Sequence, residues 1–219
     1  MSTATLSQPR LSLSALMNRH GTDKLWIHHY ESEYARHFDP LRDKPIRLLE
    51  IGIGGWALPK RGGESLKVWR DFFPLGHITG IDIEDKRWLR EGRISTVICD
   101  QSDENALRQL HESHGPWDII IDDGSHIQSH VLTSFHTLFP LLAPGGIYVI
   151  EDMATAYDAK FGGEGSGDPF EPLATSISLM SDLIDGIHWK SWGHRVPSDI
   201  QRLVKSVHVS EELAFIYKR

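Results

Sequence analysis

From residue 46 onward the chain alternates short apolar runs with amphipathic segments. The apolar runs are "IRLLEIGI", "HITGIDI", "ISTVIC", "WDIIID" and "GIYVIE". Between them lie "ESLKVWRDFF", "ENALRQLHES" and "HVLTSFHTLF", in which apolar residues return at helical spacing. Strands that are almost wholly apolar must be covered on both faces, and parallel strands need a crossover, so this alternation predicts βαβ units. Toward the C-terminus "LATSISLMSDLIDGIH" predicts a further helix, and "VKSVHVSEELAFIYKR" predicts two strands about a tight turn. The expected architecture is α/β: about seven strands, a mostly parallel sheet with a C-terminal antiparallel hairpin, and helices on both faces.

Ahead of this region, "LSLSALMNRHG" predicts a short helix closed by Gly21, and the first dozen residues are expected to be loose. In "HHYESEYARHFDPL", Tyr30, Tyr34 and Phe38 recur at i, i+4 and i+8, a helical stripe expected to pack onto the main body. Residues 1–40 therefore read as an N-terminal helical segment and 41–219 as the main body of a single domain. "KFGGEGSGDPFEP" is rich in Gly, Pro and acid, which suits a mobile loop.

Composition narrows the class of partner. The 219 residues suit one domain with a substantial core, and the net charge of -7 offers no basic field for nucleic acid or an anionic membrane. The single Cys99 excludes an internal disulfide framework and a thiolate metal cluster, which points to a reducing compartment. Neither a membrane-length apolar run nor a signal-peptide pattern is visible, so a soluble cytoplasmic protein is expected. A homodimer is the expected assembly, because twofold pairs are the commonest.

Candidate chemistry gathers at the ends of the predicted strands, where open α/β sheets bind ligands. The first junction, "LLEIGIGGWALPKRGGESLKVW", carries Glu50, Gly52 and Gly54, with Gly62, Gly63 and Ser65 at the start of the next helix. Glycine lets a ligand approach the backbone closely, and a helix N-terminus suits a carboxylate. The spacing is not the G-x-G-x-x-G of dinucleotide binders, which disfavours a nicotinamide enzyme. Asp82 ends the second strand and can accept from two ribose hydroxyls; Asp100 and Gln101 end the third and can meet an adenine amino group. Each acid alone is as well read as a helix cap or a turn residue. Together they predict a nucleoside-like ligand along one sheet edge.

The motifs "EIGIGG", "GIDIEDK", "DQSD", "IIIDDGSH" and "IYVIED", with "GTDKLWIHHYESEY" upstream, resemble those of class I S-adenosylmethionine methyltransferases over residues 20–163. More narrowly, they are similar to the metal-dependent sugar O-methyltransferases, which include macrocin, mycinamicin, rhamnosyl and methylmannose polysaccharide enzymes. The resemblance implies a Rossmann-like class I methyltransferase fold, with S-adenosyl-L-methionine and Mg2+ as cofactors. It also implies a sugar or glycoside acceptor, either a small molecule or an oligosaccharide. The large N-terminal auxiliary domain of the long macrolide enzymes has no counterpart in these 219 residues.

The paired acids fit that picture. Asp122 and Asp123 end the fourth strand, and Glu151 and Asp152 end the fifth. Parallel neighbours lie about 4.8 Å apart, so these carboxylates should converge, and converging carboxylates need a cation or protons. A hard all-oxygen set favours Mg2+. On residues alone, turn and N-cap roles are equally open. A histidine titrates near neutral pH and can take a proton from a hydroxyl. By the resemblance, Asp123, Glu151 and Asp152 are metal ligands and His126 is the general base, while Asp122 orients the turn or meets the cofactor.

Elsewhere, "GTDKLW" reads as a helix start capped by Thr22 or Asp23, or as a lid touching the cofactor. Trp189 and Trp192 suit a sugar face, a core or an interface equally. The competing functions are a non-catalytic cofactor-binding or assembly protein on the same fold and a related metal-dependent hydroxylase.

Overall fold

The structure is a computed structural model that describes residues 10–55, 58, 60–165 and 173–219. Of the first dozen residues expected to be loose, 1–9 lie outside the described residues, as does the 166–172 part of the Gly/Pro-rich loop. Three N-terminal helices, α1 (Leu13–His20), α2 (Asp23–Trp26) and α3 (Glu31–Phe38), precede the first strand, β1 (Arg47–Ile51). There follow α4 (Glu64–Phe72), β2 (His77–Asp82), β3 (Ile94–Ile98), α5 (Glu104–His114), β4 (Ile119–Asp122), α6 (Gln128–Leu138) and β5 (Ile147–Ile150). The chain closes with α7 (Ser176–Ile187), α8 (Asp199–Leu203), β6 (Val204–Val209) and β7 (Ala214–Lys218).

The strands form one seven-stranded sheet in the order β3-β2-β1-β4-β5-β7-β6. β1 to β5 run parallel, and β7 is antiparallel to both β5 and β6. This is the expected α/β sheet with its terminal hairpin. From β1 the chain moves outward through β2 and β3, then returns to lay β4 on the other side of β1. The carboxyl ends of β1 and β4 therefore face a topological switch point, where such sheets leave a crevice.

The pleat explains both the core and the destination of each acid. Leu48, Ile119, Ile121, Ile147, Val149 and Phe215 belong to a cluster built with α1, α3 and α4. Their alternates Leu49, Ile51, Ile120, Tyr148, Ile150 and Ile216 belong to a second cluster built with α5, α6 and α7. Two-residue periodicity sends alternate side chains to opposite faces, so both faces are apolar and both are covered. By the same parity Glu50 falls on the α4 face and Asp122 on the α6 face. Beyond β5, Glu151 continues on the α3 face.

The N-terminal helices join the first of these cores. Ser12 caps α1 by accepting from Ala15 N at 3.2 Å, and Gly21, at φ 72°, ends it in the left-handed conformation that glycine adopts without strain. Leu13, Leu16 and Met17 pack with Tyr34, Phe38 and Trp69 in one buried cluster. Among the described residues, no helix is long and apolar enough to cross a membrane.

Candidate active site

Four segments meet at the carboxyl end of the sheet: the turns after β4 and β5, the end of β1, and the N-terminal α2–α3 segment. The register pairs Asp122 with Ile150, so Asp123 and Glu151 leave adjacent strands side by side. Both reach Lys24, whose Nζ lies 2.5 Å from Asp123 Oδ2 and 2.7 Å from Glu151 Oε1. Glu50 Oε1 stands 3.5 Å from the same ammonium. Tyr34 also donates its hydroxyl to Glu151 Oε1. Lys24 is only 1% exposed, and burial alone would depress its pKa; Asp123, Glu151 and Glu50 outweigh that and hold it well above the ordinary lysine range. Burial pushes the Glu151 carboxyl up, with the charge of Asp123 acting in the same direction and Lys24 opposing both.

Asp152 takes a different path from its neighbour. Its φ of 53° turns the chain, so its carboxylate leaves Lys24 to Glu151 and faces Tyr30, whose hydroxyl donates to Oδ1 at 2.7 Å. Its Oδ2 lies 3.3 Å from His126 Nε2, and Asp123 Oδ1 lies 3.9 Å from the same nitrogen. His126 is itself left-handed, at φ 58°. Two non-glycine residues in this sparsely populated conformation thus face each other, and such conformations persist where surrounding contacts hold them. Gln128 supplies one such contact, donating through Nε2 to the His126 carbonyl and to Thr155 Oγ1, each at 3.1 Å. Asp123, His126 and Asp152 each present a ligand atom within 4.8 Å of the others. Glu151, expected to converge with Asp123 and Asp152, is not part of that group: its Oε1 is committed to Lys24 and Tyr34, and among the described residues its Oε2 makes no hydrogen bond.

The expected cofactor residues divide into two groups. Along the β1–β2 side, Asp82 Oδ2 accepts from Ile53 N at 3.1 Å and Oδ1 from Glu84 N at 2.9 Å, which fixes the carboxylate beside the glycine turn. A side chain at Gly52 would meet the Asp123 carbonyl oxygen at 2.0 Å, while one at Gly54 would enter open space. Ile83 and Ile98 are exposed, and Ile98 is the β3 partner of Asp82. Glu50 is fully buried; it accepts from Trp69 Nε1 at 3.0 Å, and burial lifts its pKa to about 7. Its Oε1 has no hydrogen bond. Asp100 is exposed and holds Ser102 through its backbone and hydroxyl groups.

Gln101 and Asp122 are turned inward. Gln101 accepts from Ser125 N at 2.7 Å and donates to Asp122 Oδ1 at 3.1 Å, so it clamps the β3 loop to the β4 turn. Asp122 also accepts from Ser134 and Tyr148 on the α6 side, and burial raises its pKa to about 6. These hydrogen bonds tie it to the β3 loop, α6 and β5. Trp189 and Trp192 are half-buried and lie against guanidinium groups, Arg202 at 5.4 Å and Arg195 at 4.0 Å. A cavity of about 450 Å3 lined by Arg10, Leu16, Arg19, Arg42, Asp71 and Arg93 lies apart from the acid cluster.

Lys24 and the hydroxyls of Tyr30 and Tyr34 did not emerge from the sequence as site residues. The aromatic stripe predicted their packing correctly, and the polar ends of the two tyrosines were the overlooked signal.

Comparison with known proteins shows what the chain is similar to. A family model described as a methyltransferase domain matches residues 57–153. The MycE methyltransferase of the mycinamycin biosynthetic pathway, solved in complex with Mg, SAH and mycinamycin VI, superposes with a TM-score of 0.91 at 44% identity. That match covers 97% of this chain and 54% of the other. The chain is similar over most of its own length to sugar O-methyltransferases. It is 45% identical over 210 residues to the 8-demethyl-8-alpha-L-rhamnosyl tetracenomycin-C 2'-O-methyltransferase of Streptomyces olivaceus. It is 46% identical over 210 residues to the mycinamicin VI 2''-O-methyltransferase of Micromonospora griseorubida. Each of these two matches takes in 94% of this chain but 54% and 52% of the relative, so the chain spans about half the length of the curated relatives it matches.

Proposed function

We propose that this chain is a sugar O-methyltransferase that transfers a methyl group from S-adenosylmethionine to a hydroxyl of a glycoside, assisted by a divalent ion. The observation that carries the reading is the convergence of Asp123, Asp152 and His126 at the switch point of the sheet. The donor set fits a hard cation: carboxylate oxygens gather there with one positive side chain, Lys24, among them. The cofactor side fits as well, with a bare backbone at Gly54, the unsatisfied Glu50 Oε1, and Asp82 beside the exposed Ile83 and Ile98. Asp123, Glu151 and Asp152 would hold Mg2+, and Asp82 and Glu50 would face the nucleoside and the amino acid part of the cofactor. When bound, the ion would stabilise negative charge on the acceptor oxygen, and S-adenosylmethionine would supply the electrophilic methyl group.

The protein's own groups then orient and deprotonate. His126 Nε2, 3.3 Å from Asp152 Oδ2, is placed to accept the hydroxyl proton. The α2–α3 segment lies against the carboxylates and buries that of Glu151. Trp26, Ile27 and Tyr157, exposed on segments that carry Lys24 and Asp152, offer apolar surface for a sugar and its aglycone. A soluble homodimer acting in the cytoplasm on a natural-product or polysaccharide precursor is the cellular setting of this proposal.

Incubation with S-adenosylmethionine, Mg2+ and a panel of rhamnosides, mannosides and deoxysugar glycosides tests it by mass spectrometry. A methylated glycoside whose formation stops with chelator is expected. Cofactor binding without product across the panel would favour a non-catalytic module. A metal-dependent hydroxylase is the second reading, favoured by the imidazole nitrogen lying among the same ligand atoms. It predicts oxygen consumption instead of methyl transfer.

A further inference from the structure

Each of the three expected ligand carboxylates, Asp123, Glu151 and Asp152, has one oxygen held from the N-terminal side and another that makes no hydrogen bond among the described residues. Asp123 gives Oδ2 to Lys24, and its Oδ1 makes no hydrogen bond and looks toward His126. Glu151 gives Oε1 to Lys24 and Tyr34 and leaves Oε2 unbonded. Asp152 gives Oδ1 to Tyr30 and turns Oδ2 toward His126. The donors come from one stretch of chain, α2 and α3 with the four residues between them, the last of which is Tyr30. That stretch lies outside the matched methyltransferase model at 57–153.

We propose that Lys24, Tyr30 and Tyr34 are the positioning residues of the divalent-ion site. By fixing one oxygen of Asp123 and of Asp152 they turn the other toward the group of ligand atoms that would take the cation, and by fixing Glu151 beside Asp123 they hold the third carboxylate at its edge. The inference rests on the reading of the site given above. A carboxylate free to rotate offers either oxygen and loses orientational freedom when it binds; one already hydrogen-bonded has lost that freedom in advance. Partners behind the ligands commonly change metal affinity by about 10–100-fold. Lys24 adds a second effect, since its fixed positive charge keeps Asp123 and Glu151 from repelling each other when no ion is present. Tyr30 and Tyr34 are suited to a clean test: their rings are buried in the core, and loss of the hydroxyl leaves that packing in place.

The test measures Mn2+ affinity by calorimetry or electron paramagnetic resonance, alongside thermal midpoints in chelator-treated buffer, for the wild type, Tyr30→Phe, Tyr34→Phe and Lys24→Met. About a tenfold or greater loss of Mn2+ affinity is expected in each tyrosine variant, with a rise in the Mn2+ concentration needed for half-maximal turnover. A purely structural role would lower the midpoint and leave the affinity of the folded protein unchanged. Wild-type affinity in both tyrosine variants overturns the frame, whether or not Lys24→Met folds. A wild type that takes up no Mn2+ at all overturns the metal reading, and the frame falls with it.

Discussion

At the scale of single residues, pleat parity decides what each member of an acidic pair can do. Asp122, one step before the strand ends, is drawn into the α6 face and hydrogen-bonded by Ser134, Tyr148 and Gln101. Asp123, one step later, is free to meet Lys24 and His126. His126 is the group whose loss should separate binding from chemistry. His126→Asn suits the test because Asn tolerates the left-handed backbone that this position requires. The expected result is a fall in kcat of about 10²–10⁴-fold with cofactor affinity intact, read by calorimetry and initial rates. Turnover at the wild-type level would remove the base from the mechanism. The sequence located the acids and this histidine because strand ends are legible from apolar runs. It did not reveal Lys24, which lies 99 and 127 residues from its partners and reads locally as part of a helix start. A buried acid cluster does demand a cation, so the missing lysine could have been sought, but the sequence alone does not say which one.

At the scale of elements, α3 against the hairpin gives a pH signature distinct from that of the site. His37, in the last turn of α3, is buried with its ring stacked 3.9 Å from that of Phe215 and its Nδ1 2.6 Å from the Tyr217 hydroxyl. Burial, helped by the neighbouring His208, lowers its pKa to about 4. An unfolded histidine titrates near 6.5. Between these values the unfolded chain binds more protons, so the contribution of His37 to stability is complete above the unfolded value and falls as pH drops toward 4. Glu50 and Asp122, with raised pKa values, act in the opposite direction over much of the same range. The prediction therefore concerns a difference: the gap in stability between wild type and His37→Phe should shift in favour of the variant as pH falls from 6.5 to 4. Denaturant titrations across that range measure it, and a gap that stays constant would refute the assignment. The tyrosine stripe announced that α3 packs inward. Its partner was not legible, because helix periodicity says which face is buried and not what lies opposite.

At the scale of the whole molecule, the N-terminal helices contribute to the core as much as to the site. The division at residue 40 follows the change of texture in the sequence, from a helical segment to alternating strands and helices. Yet Leu13, Leu16, Met17, Tyr34 and Phe38 share a cluster with Trp69, Phe72 and Phe215. A chain starting at residue 41 is expected to lose its cooperative thermal transition and expose apolar surface, seen by circular dichroism and dye binding. A sharp transition close to that of the intact chain would show a body that is independent of its cover. The order of the elements was readable because each announces itself within about ten residues of chain. Which of them close over the sheet depends on contacts between distant segments, and local patterns do not encode those.

The carboxylates that Lys24, Tyr30 and Tyr34 hold belong to strand ends more than 80 residues downstream of those donors. Anyone recombining this protein with a homologue would naturally cut just before β1, where texture changes. Such a junction would take acceptors from one parent and donors from the other. Crossovers placed upstream of Leu13 would inherit both together, and libraries built on the two choices should differ sharply in how many members still capture a metal ion.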